Sequence, residues 1–428
     1  MEKKVGLELF YTDTPGIGGR LKKYPEDFRV REEIKFEDLR DGEYTIAKVW
    51  ARNWETNRLV KKMALELNLG RDDIAFSGTK DKRAITEQYM SFYTSLEEVQ
   101  NIDLKDVEIT DLKSSHRPLY LGMHHGNHFE ITIREIDVDD VLEDVVAETS
   151  SELTDAKGFP NWFGVQRFGT IRPVTHEIGK KIVRGDIEGA VRSYIGDPYE
   201  KEGEDSYEAR RFIEESWDYE KALDVYPNIL TFERSMIKSL IEKPDDYVRA
   251  LRRLPHNLQK MFIHAYQSYL FNRMLSKRLK EGLPLNDAIV GDILLPANRD
   301  GLPNRDTPVE VKERNLEKAS DMVRQGKAYV SAPLVGHNSD FSEGRQGEIE
   351  REVVEEDGLM REDFVVPELR NLSSSGTRRA LLAPITDLDY KVDERSVKLS
   401  FYLFKGTYAT TLLREYMKLP DEDAHLYS

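Results

Sequence analysis

The N-terminal third of the chain alternates between apolar and polar side chains in the manner of β-strands. The period of two is clear over residues 28–32 and again over 129–134. Between these segments, apolar residues return at helical spacing after residues 55–57, and Gly70 follows where a helix C-terminal cap would lie. The pattern predicts an α+β region with an antiparallel sheet.

From about residue 174 to residue 290 the apolar residues follow a helical period. Helices are predicted over 176–183, 187–194, 209–216 and, at greater length, 256–280. A mixed stretch follows, with a strand-like segment at 327–330, and then a strand at 396–403 and a helix at 409–417. The order of sheet, helices and sheet suggests one domain inserted into another. Two consecutive domains are the alternative, and the pattern does not choose between them.

Composition narrows the chemistry. The 428 residues include no cysteine, which excludes disulfides, thiolate nucleophiles and cysteine-ligated zinc or iron–sulfur sites. The first residues lack the apolar core of a signal peptide, and no apolar run reaches the roughly 18 residues that a membrane span needs. We therefore expect a cytoplasmic protein that does not cross a membrane.

A net charge of −16 argues against a nucleic-acid partner when taken alone. The acidic residues, however, concentrate in 200–208, 350–358 and 421–425, away from the basic ones. A globally acidic protein can bind a polyanion through one local basic face, although each cluster could also be an ordinary solvated surface. The basic clusters are Arg20, Lys22 and Lys23; Lys61 and Lys62; Lys80, Lys82 and Arg83; and Arg378 and Arg379.

The segment 76–84 places one aspartate between two lysines. Lys80 and Lys82 flank Asp81 just after a glycine, and cations on both sides favour an ionised carboxylate. An ionised carboxylate is a competent nucleophile and needs no metal. A surface turn with a salt bridge is the alternative interpretation.

Two further segments could place rings and a cation beside such a nucleophile. In 22–32, Lys22 precedes a turn and Phe28 enters a strand; a basic loop before an edge strand is the alternative. In 124–131, strand alternation places Asn127 and Phe129 on one face, which suits hydrogen bonding to and stacking on a flipped base. The three histidines of 124–128 suggest a metal site, but strand geometry points His125 and His128 to opposite faces.

A fourth segment, 158–169, crowds aromatic and amide side chains between glycines. Phe163, Gln166 and Arg167 could supply a surface on which bases stack. A core crossing rich in aromatic residues is the alternative.

Together and in this order, these motifs resemble the pseudouridine synthases of the TruD type. The resemblance covers most of the chain and extends to 265–272 and 406–415. It implies an α+β pseudouridine synthase catalytic domain with a mixed, largely antiparallel sheet, interrupted by a largely helical TRUD insertion domain. The implied boundaries are 1–170 and 371–428 for the catalytic domain and 171–370 for the insertion.

The resemblance also implies the activity, which is isomerisation of uridine to pseudouridine in tRNA, usually at position 13, without cofactor or metal. Asp81 would be the nucleophile and Lys22 its basic partner; Phe129 would stack on the uracil, Asn127 would orient the site and Phe28 would be the second aromatic. We further expect a monomer without an obligatory protein partner. Predicted RNA contacts are Lys80, Lys82, Arg83, Arg167, Phe163, Gln166 and Arg379.

Two other classes of function stay open on the sequence. One is an RNA-binding protein that keeps the fold without catalysis. The other is a metal-dependent hydrolase built on His124, His125 and His128.

Overall fold

Two β-sheets organise the chain in the computed structural model, which describes residues 1–36, 39–137 and 141–427. The strands are β1 (Phe28–Glu33), β2 (Tyr44–Arg52), β3 (Ile74–Phe76), β4 (Ile85–Phe92), β5 (Val107–Ser115), β6 (Gly126–Arg134), β7 (Gly158–Pro160), β8 (Ile293–Pro296), β9 (Val309–Glu310), β10 (Ala328–Leu334), β11 (Thr377–Ala380), β12 (Leu382–Asp393) and β13 (Ser396–Phe404).

Most of the α-helices lie in the middle of the chain, and a few lie nearer its two ends. They are α1 (Thr56–Glu66), α2 (Leu96–Gln100), α3 (Leu142–Asp155), α4 (Thr175–Val183), α5 (Ile187–Ile195), α6 (Glu204–Ser216), α7 (Tyr219–Val225), α8 (Thr231–Glu242), α9 (Tyr247–Leu251), α10 (His256–Lys280), α11 (Leu316–Arg324), α12 (Gly344–Glu356) and α13 (Ala409–Met417). The predicted bounds of α10 and α13 are confirmed, whereas α6 begins five residues earlier than predicted. In the described residues, no helix is long and apolar enough to cross a membrane.

The larger sheet runs in the order β5-β2-β4-β1-β6-β13-β12-β7, with β3 beside β4. Its pairs are antiparallel except for β1 and β4, which run parallel, because the chain between them crosses over through β2 and α1. The mixed sheet of an α+β fold is thus confirmed. Along β1 the side chains of Phe28, Val30 and Glu32 are buried, whereas Arg29 and Arg31 face water.

The C-terminal cap predicted at Gly70 is wrong. Helix α1 ends earlier, and Asn68, with a φ of +52°, adopts the left-handed conformation that closes it. The Leu69 N–H then donates to the Ala64 carbonyl over 2.8 Å. Asparagine tolerates this conformation better than other residues with a Cβ, so it can replace glycine at this position.

The smaller sheet, in the order β11-β10-β8-β9, lies among helices α4 to α12. Strand β11 pairs with β10, and the chain re-enters the larger sheet only at β12, so sheet membership groups 377–380 with the smaller sheet rather than with the predicted catalytic domain. One hydrophobic cluster continues through both parts. The division into two domains at residues 170 and 371 therefore stays a prediction.

A polar strip separates two hydrophobic clusters on one face of the larger sheet. Val49 and Met90 belong to the cluster beneath α1, whereas Ile131 and Leu399 belong to the main core. Between them, β4, β1 and β6 present the side chains of Gln88, Glu32 and Asn127 at neighbouring positions. Segments 22–32, 76–84 and 124–131 meet at this strip, where Lys80 binds Glu32 and Asn127 lies opposite Glu32.

A fully buried ion pair connects α10 to the residue directly before β8. Arg278 on α10 binds Asp292 through two hydrogen bonds, with Nη1–Oδ1 at 2.6 Å and Nη2–Oδ2 at 3.0 Å, and neither side chain is exposed. The paired geometry and the hydrogen bond from Arg278 Nη2 to the Pro284 carbonyl offset the cost of burying both charges.

We expect Arg278→Met to lower the free energy of unfolding by about 3–5 kcal/mol, because Asp292 would remain as an uncompensated buried charge. Arg211→Met, at a half-exposed helix-surface pair with Glu208, should change it by less than about 1 kcal/mol. Denaturant unfolding of the two variants checks this, and equal effects would contradict it.

Candidate active site

The fold brings together two motifs that lie far apart in the sequence. Lys22 Nζ donates to Asp81 Oδ2 over 2.7 Å. The lysine side chain is 9% exposed, whereas the aspartate side chain is 63% exposed. The cation is thus inside the protein and the carboxylate faces solvent, where a large substrate can reach it.

Lys22 occupies a backbone conformation that is rare for a residue with a Cβ. Its φ of +53° is left-handed, which costs about 1–3 kcal/mol unless the surroundings enforce it. Those surroundings include a backbone bridge in which Arg20 and Arg134 exchange hydrogen bonds of 2.7 and 3.0 Å. Buried Asp27 also holds the backbone on either side of Lys22 in place, since it accepts hydrogen bonds from Arg134 Nε at 2.7 Å and from the Tyr24 N–H at 2.9 Å.

The loop that carries Asp81 is fixed on both sides of the aspartate. Before it, the Lys80 N–H donates to Thr56 Oγ1, in the first residue of α1, over 2.7 Å. After it, the Ala84 carbonyl accepts from the Asn53 N–H at 2.9 Å. Only 81–83 remain exposed between these two attachments.

The Lys80 side chain points into the protein and binds Glu32. Its Nζ lies 2.6 Å from Oε2 of this carboxylate, whose side chain is completely buried. The other oxygen, Oε1, accepts from Ser77 Oγ at 2.6 Å and from the Tyr89 N–H at 3.3 Å. The predicted contact of Lys80 with RNA is therefore not supported, because a buried carboxylate needs this cation. Lys80 positions the loop instead.

Three phenylalanines pack beside the Lys22–Asp81 pair. Phe28 meets Phe129 edge to face, with centroids 6.3 Å apart, and Phe401 stacks on Phe129 at 5.3 Å. Lys22 Nζ lies 4.6 Å from the centroid of Phe28. Sequence reasoning missed Phe401, although the alternation over 396–403 places it on the buried face of β13.

Two amide side chains near Glu32 have buried atoms for which the described residues offer no hydrogen-bond partner. These atoms are Asn127 Oδ1 and both Oε1 and Nε2 of Gln88. Buried polar groups are nearly always paired, so such atoms mark places where water or a ligand completes the structure. Asn127 lies two residues before Phe129 on the same face of β6.

The three histidines do not converge. His124 Nδ1 contacts the Ser77 carbonyl at 3.1 Å, His125 Nε2 contacts the Asp300 carbonyl at 2.8 Å and His128 Nε2 lies 3.1 Å from the Glu33 carboxylate. Within 1–36, 39–137 and 141–427, no three His, Cys, Asp or Glu side chains are arranged to hold a metal ion. Burial lowers the pKa of His124, which favours its neutral form.

The remaining predicted RNA contacts fall into two groups. Lys82 and Arg83 are exposed beside Asp81, as an RNA contact requires. Phe163 and Arg379 are buried, with Arg379 Cζ 4.2 Å from the Phe163 centroid, and burial lowers the pKa of Arg379 to about 10. The burial of Phe163 does not favour a direct RNA contact, whereas Arg379 lines a cleft of about 580 Å³ and its contact with RNA stays a prediction.

Gln166 and Arg167 are partly buried next to this cluster. Arg167 Nε donates to Ser268 Oγ at 3.3 Å, and Gln166 Nε2 donates to the Tyr427 carbonyl at 3.4 Å. Both side chains have partners inside the protein. Their contact with RNA stays a prediction.

Comparison with known proteins gives one consistent answer. The model of the family "tRNA pseudouridine synthase D (TruD)" matches residues 4–416. The chain belongs to the TruD family. It is 45% identical to a protein of Methanococcoides burtonii named "Probable tRNA pseudouridine synthase D", over 98% of this chain and 97% of the relative. A relative of the same name from Methanosarcina barkeri is 40% identical, over 98% of both chains.

A crystal structure of a TruD protein from Methanosarcina mazei has the same fold. It superposes with a TM-score of 0.88 at 39% identity, covering 100% of this chain and 98% of the other. The TruD family is one of isomerases that convert uridine to pseudouridine in tRNA, so the predicted fold class, family and reaction are confirmed. The described residues offer no support for the metal-dependent hydrolase, and membership of an enzyme family disfavours the non-catalytic RNA-binding protein.

We expect Lys80→Met to destabilise the protein by about 3–5 kcal/mol and to slow turnover, because Glu32 would be left buried without its cation. Lys82→Met, on the other side of Asp81, should change the free energy of unfolding by less than about 0.5 kcal/mol. The double variant Glu32→Gln/Lys80→Met removes both charges and should recover part of the stability. Denaturant unfolding measures all three, and equal effects of the two lysine variants would contradict the assignment.

Proposed function

We propose that Asp81 is the nucleophile with which this TruD family member isomerises uridine, at position 13 of its tRNA substrates. The observation that carries the proposal is the 2.7 Å pair between inward-facing Lys22 and outward-facing Asp81. The ammonium group orients the carboxylate through a hydrogen bond and leaves it open to solvent, where a carboxylate can act as a nucleophile.

The reaction is an internal rearrangement that needs no oxidant or reductant. The bond from ribose C1′ to uracil N1 breaks, the uracil turns, and a bond from C1′ to C5 forms; the proton lost from C5 is balanced by one gained at N1. Attack of the carboxylate on C1′ and attack on uracil C6 both require an aspartate that the substrate can reach. The exposed side chain of Asp81 meets this condition.

The neighbouring side chains suit a base that must be retained while it is detached. Phe401 covers one face of the Phe129 ring, and the uracil would stack on the other face. Asn127 Oδ1, which has no partner among the residues that the structure describes, would accept the uracil N3–H. Phe28 would hold the Phe129 ring and the Lys22 ammonium group in position, since its own ring contacts both.

A cleft between the two sheets would bind one or two nucleotides of the tRNA. It encloses about 580 Å³ and is lined by Arg305 after β8 and Arg379 in β11, and by Lys405 and Thr407 after β13. Lys82 and Arg83 extend the basic surface towards Asp81. The protein would act in the cytoplasm as a monomer, without cofactor, metal ion or obligatory protein partner.

We expect Asp81→Asn to bind tRNA with nearly unchanged affinity and to lose at least about a thousandfold in rate, because the amide is not a nucleophile. A pseudouridine assay on tRNA transcripts, with binding measured in parallel, checks both parts. A variant that retains turnover would exclude Asp81 as the nucleophile.

We expect tRNA affinity to fall as salt rises, and Arg83→Met to reduce the slope of log affinity against log salt by about 1, because one phosphate contact is removed. Titrations at several salt concentrations measure the slopes. Arg299→Met, at an exposed residue of the 297–306 loop, tests whether the inserted part also contacts phosphates. An unchanged slope for Arg83→Met would remove this residue from the RNA interface.

A further inference from the structure

Two large apolar side chains lie exposed at a turn beside the loop 77–84, the nucleophile loop, which carries Asp81. Tyr120 is 62% exposed and Leu121 is 72% exposed, whereas Leu119 just before them is buried and donates its N–H to Ser91 Oγ at 2.9 Å. Leaving such side chains in water forgoes the free energy that their burial would give. Adjacent apolar side chains that stay exposed often mark an interaction site.

The turn has a defined conformation. The Met123 N–H donates to the Tyr120 carbonyl at 3.1 Å, which closes a four-residue β-turn. Gly122 has a φ of +83°, a conformation that glycine adopts without a steric penalty. The exposed pair is therefore presented by an ordered turn.

Hydrogen bonds attach this turn to the catalytic part on two sides. The Gly122 N–H donates to the Ser77 carbonyl at 2.8 Å, and Lys405 Nζ donates to the Gly122 carbonyl at 2.6 Å. Ser77 also binds Glu32, the carboxylate that fixes Lys80 next to Asp81. The turn and the nucleophile are thus connected through one hydrogen-bonded network.

The charges around the turn favour a nucleic acid as its partner. Lys405 is exposed and touches the turn, and Lys82 and Arg83 are exposed on the adjoining loop. An apolar tip among cations suits a polyanion whose bases present apolar faces, since the cations bind phosphates while a ring stacks on a base.

We propose that Tyr120 and Leu121 form a wedge that enters the RNA base stack where the target uridine leaves it. The proposal rests on the proposed function, because a uridine in a folded tRNA reaches Asp81 only after it has been flipped out. Flipping costs a few kcal/mol in lost stacking, and inserted apolar side chains offset that cost in proteins that kink or open nucleic acids. The wedge acts before the chemical step and touches no reacting atom.

The test uses Tyr120→Ala and Leu121→Ala with Leu65→Ala as the matched control. Leu65 is a similarly exposed apolar side chain, with 68% exposure, in the last turn of α1. It lies at the opposite end of that helix from Thr56, the residue that contacts the nucleophile loop. Two quantities are measured at saturating protein: the single-turnover rate of pseudouridine formation, and, in an Asp81→Asn background, the fluorescence of 2-aminopurine placed next to the target uridine.

We expect each wedge variant to lower the single-turnover rate about tenfold, the loss of roughly one stacking contact, and to reduce the fluorescence rise that accompanies unstacking. Leu65→Ala should match the unmodified protein in both measurements. Tyr120→Phe should also match the unmodified protein, because the aromatic ring and not the hydroxyl group fills the space that the flipped uridine leaves in the base stack.

Three results would overturn the wedge: unchanged rates in both alanine variants, a lower rate with an unchanged fluorescence rise, or a loss in Tyr120→Phe equal to that in Tyr120→Ala. Failure of the proposed function is a separate result. In that case the unmodified protein forms no pseudouridine, while the fluorescence of the Asp81→Asn protein still reports whether the turn unstacks the RNA.

Discussion

The buried ion pair between Glu32 and Lys80 is the interaction on which the candidate active site depends. Burying a carboxylate is expensive unless a cation and hydrogen bonds compensate it, and Glu32 has Lys80, the Ser77 hydroxyl and the Tyr89 N–H. Because Lys80 directly precedes Asp81, this requirement also fixes the position of Asp81, the proposed nucleophile. The electrostatics of the sheet interior thereby determine where the Asp81 carboxylate lies.

The polar strip explains why the site occupies the middle of a sheet. Two hydrophobic clusters cover one face of the larger sheet, and neither cluster extends over Glu32, Gln88 and Asn127. A base that enters the gap would meet an aromatic surface at Phe129 and unpaired amide atoms on either side of Glu32. Because β1 and β4 are parallel neighbours, the loop before β1 that carries Lys22 and the loop before β4 that carries Asp81 lie at the same edge of the sheet, where the two side chains meet.

Much of this arrangement could be predicted from the sequence. Alternation over 28–32 and 129–134 predicted the strands β1 and β6, and the ordered motifs indicated both the family and the pairing of Lys22 with Asp81. The roles of the two lysines beside Asp81 could not be separated, because local sequence does not show which of them faces the interior. A signal was nevertheless present: alternation places Glu32 on the buried face with Phe28 and Val30, and a buried carboxylate requires a cation. The burial of Arg379 against Phe163 depends on contacts between distant segments, which no local pattern contains.

A crystal structure of the Asp81→Asn protein bound to a tRNA substrate tests the role of the candidate active site most directly. We expect the target uridine to be flipped out of the RNA, its uracil to stack on Phe129 beside residue 81, and Lys80 to remain bound to Glu32. A uracil bound away from Phe129, or Lys80 released from Glu32 to contact a phosphate, would contradict this role.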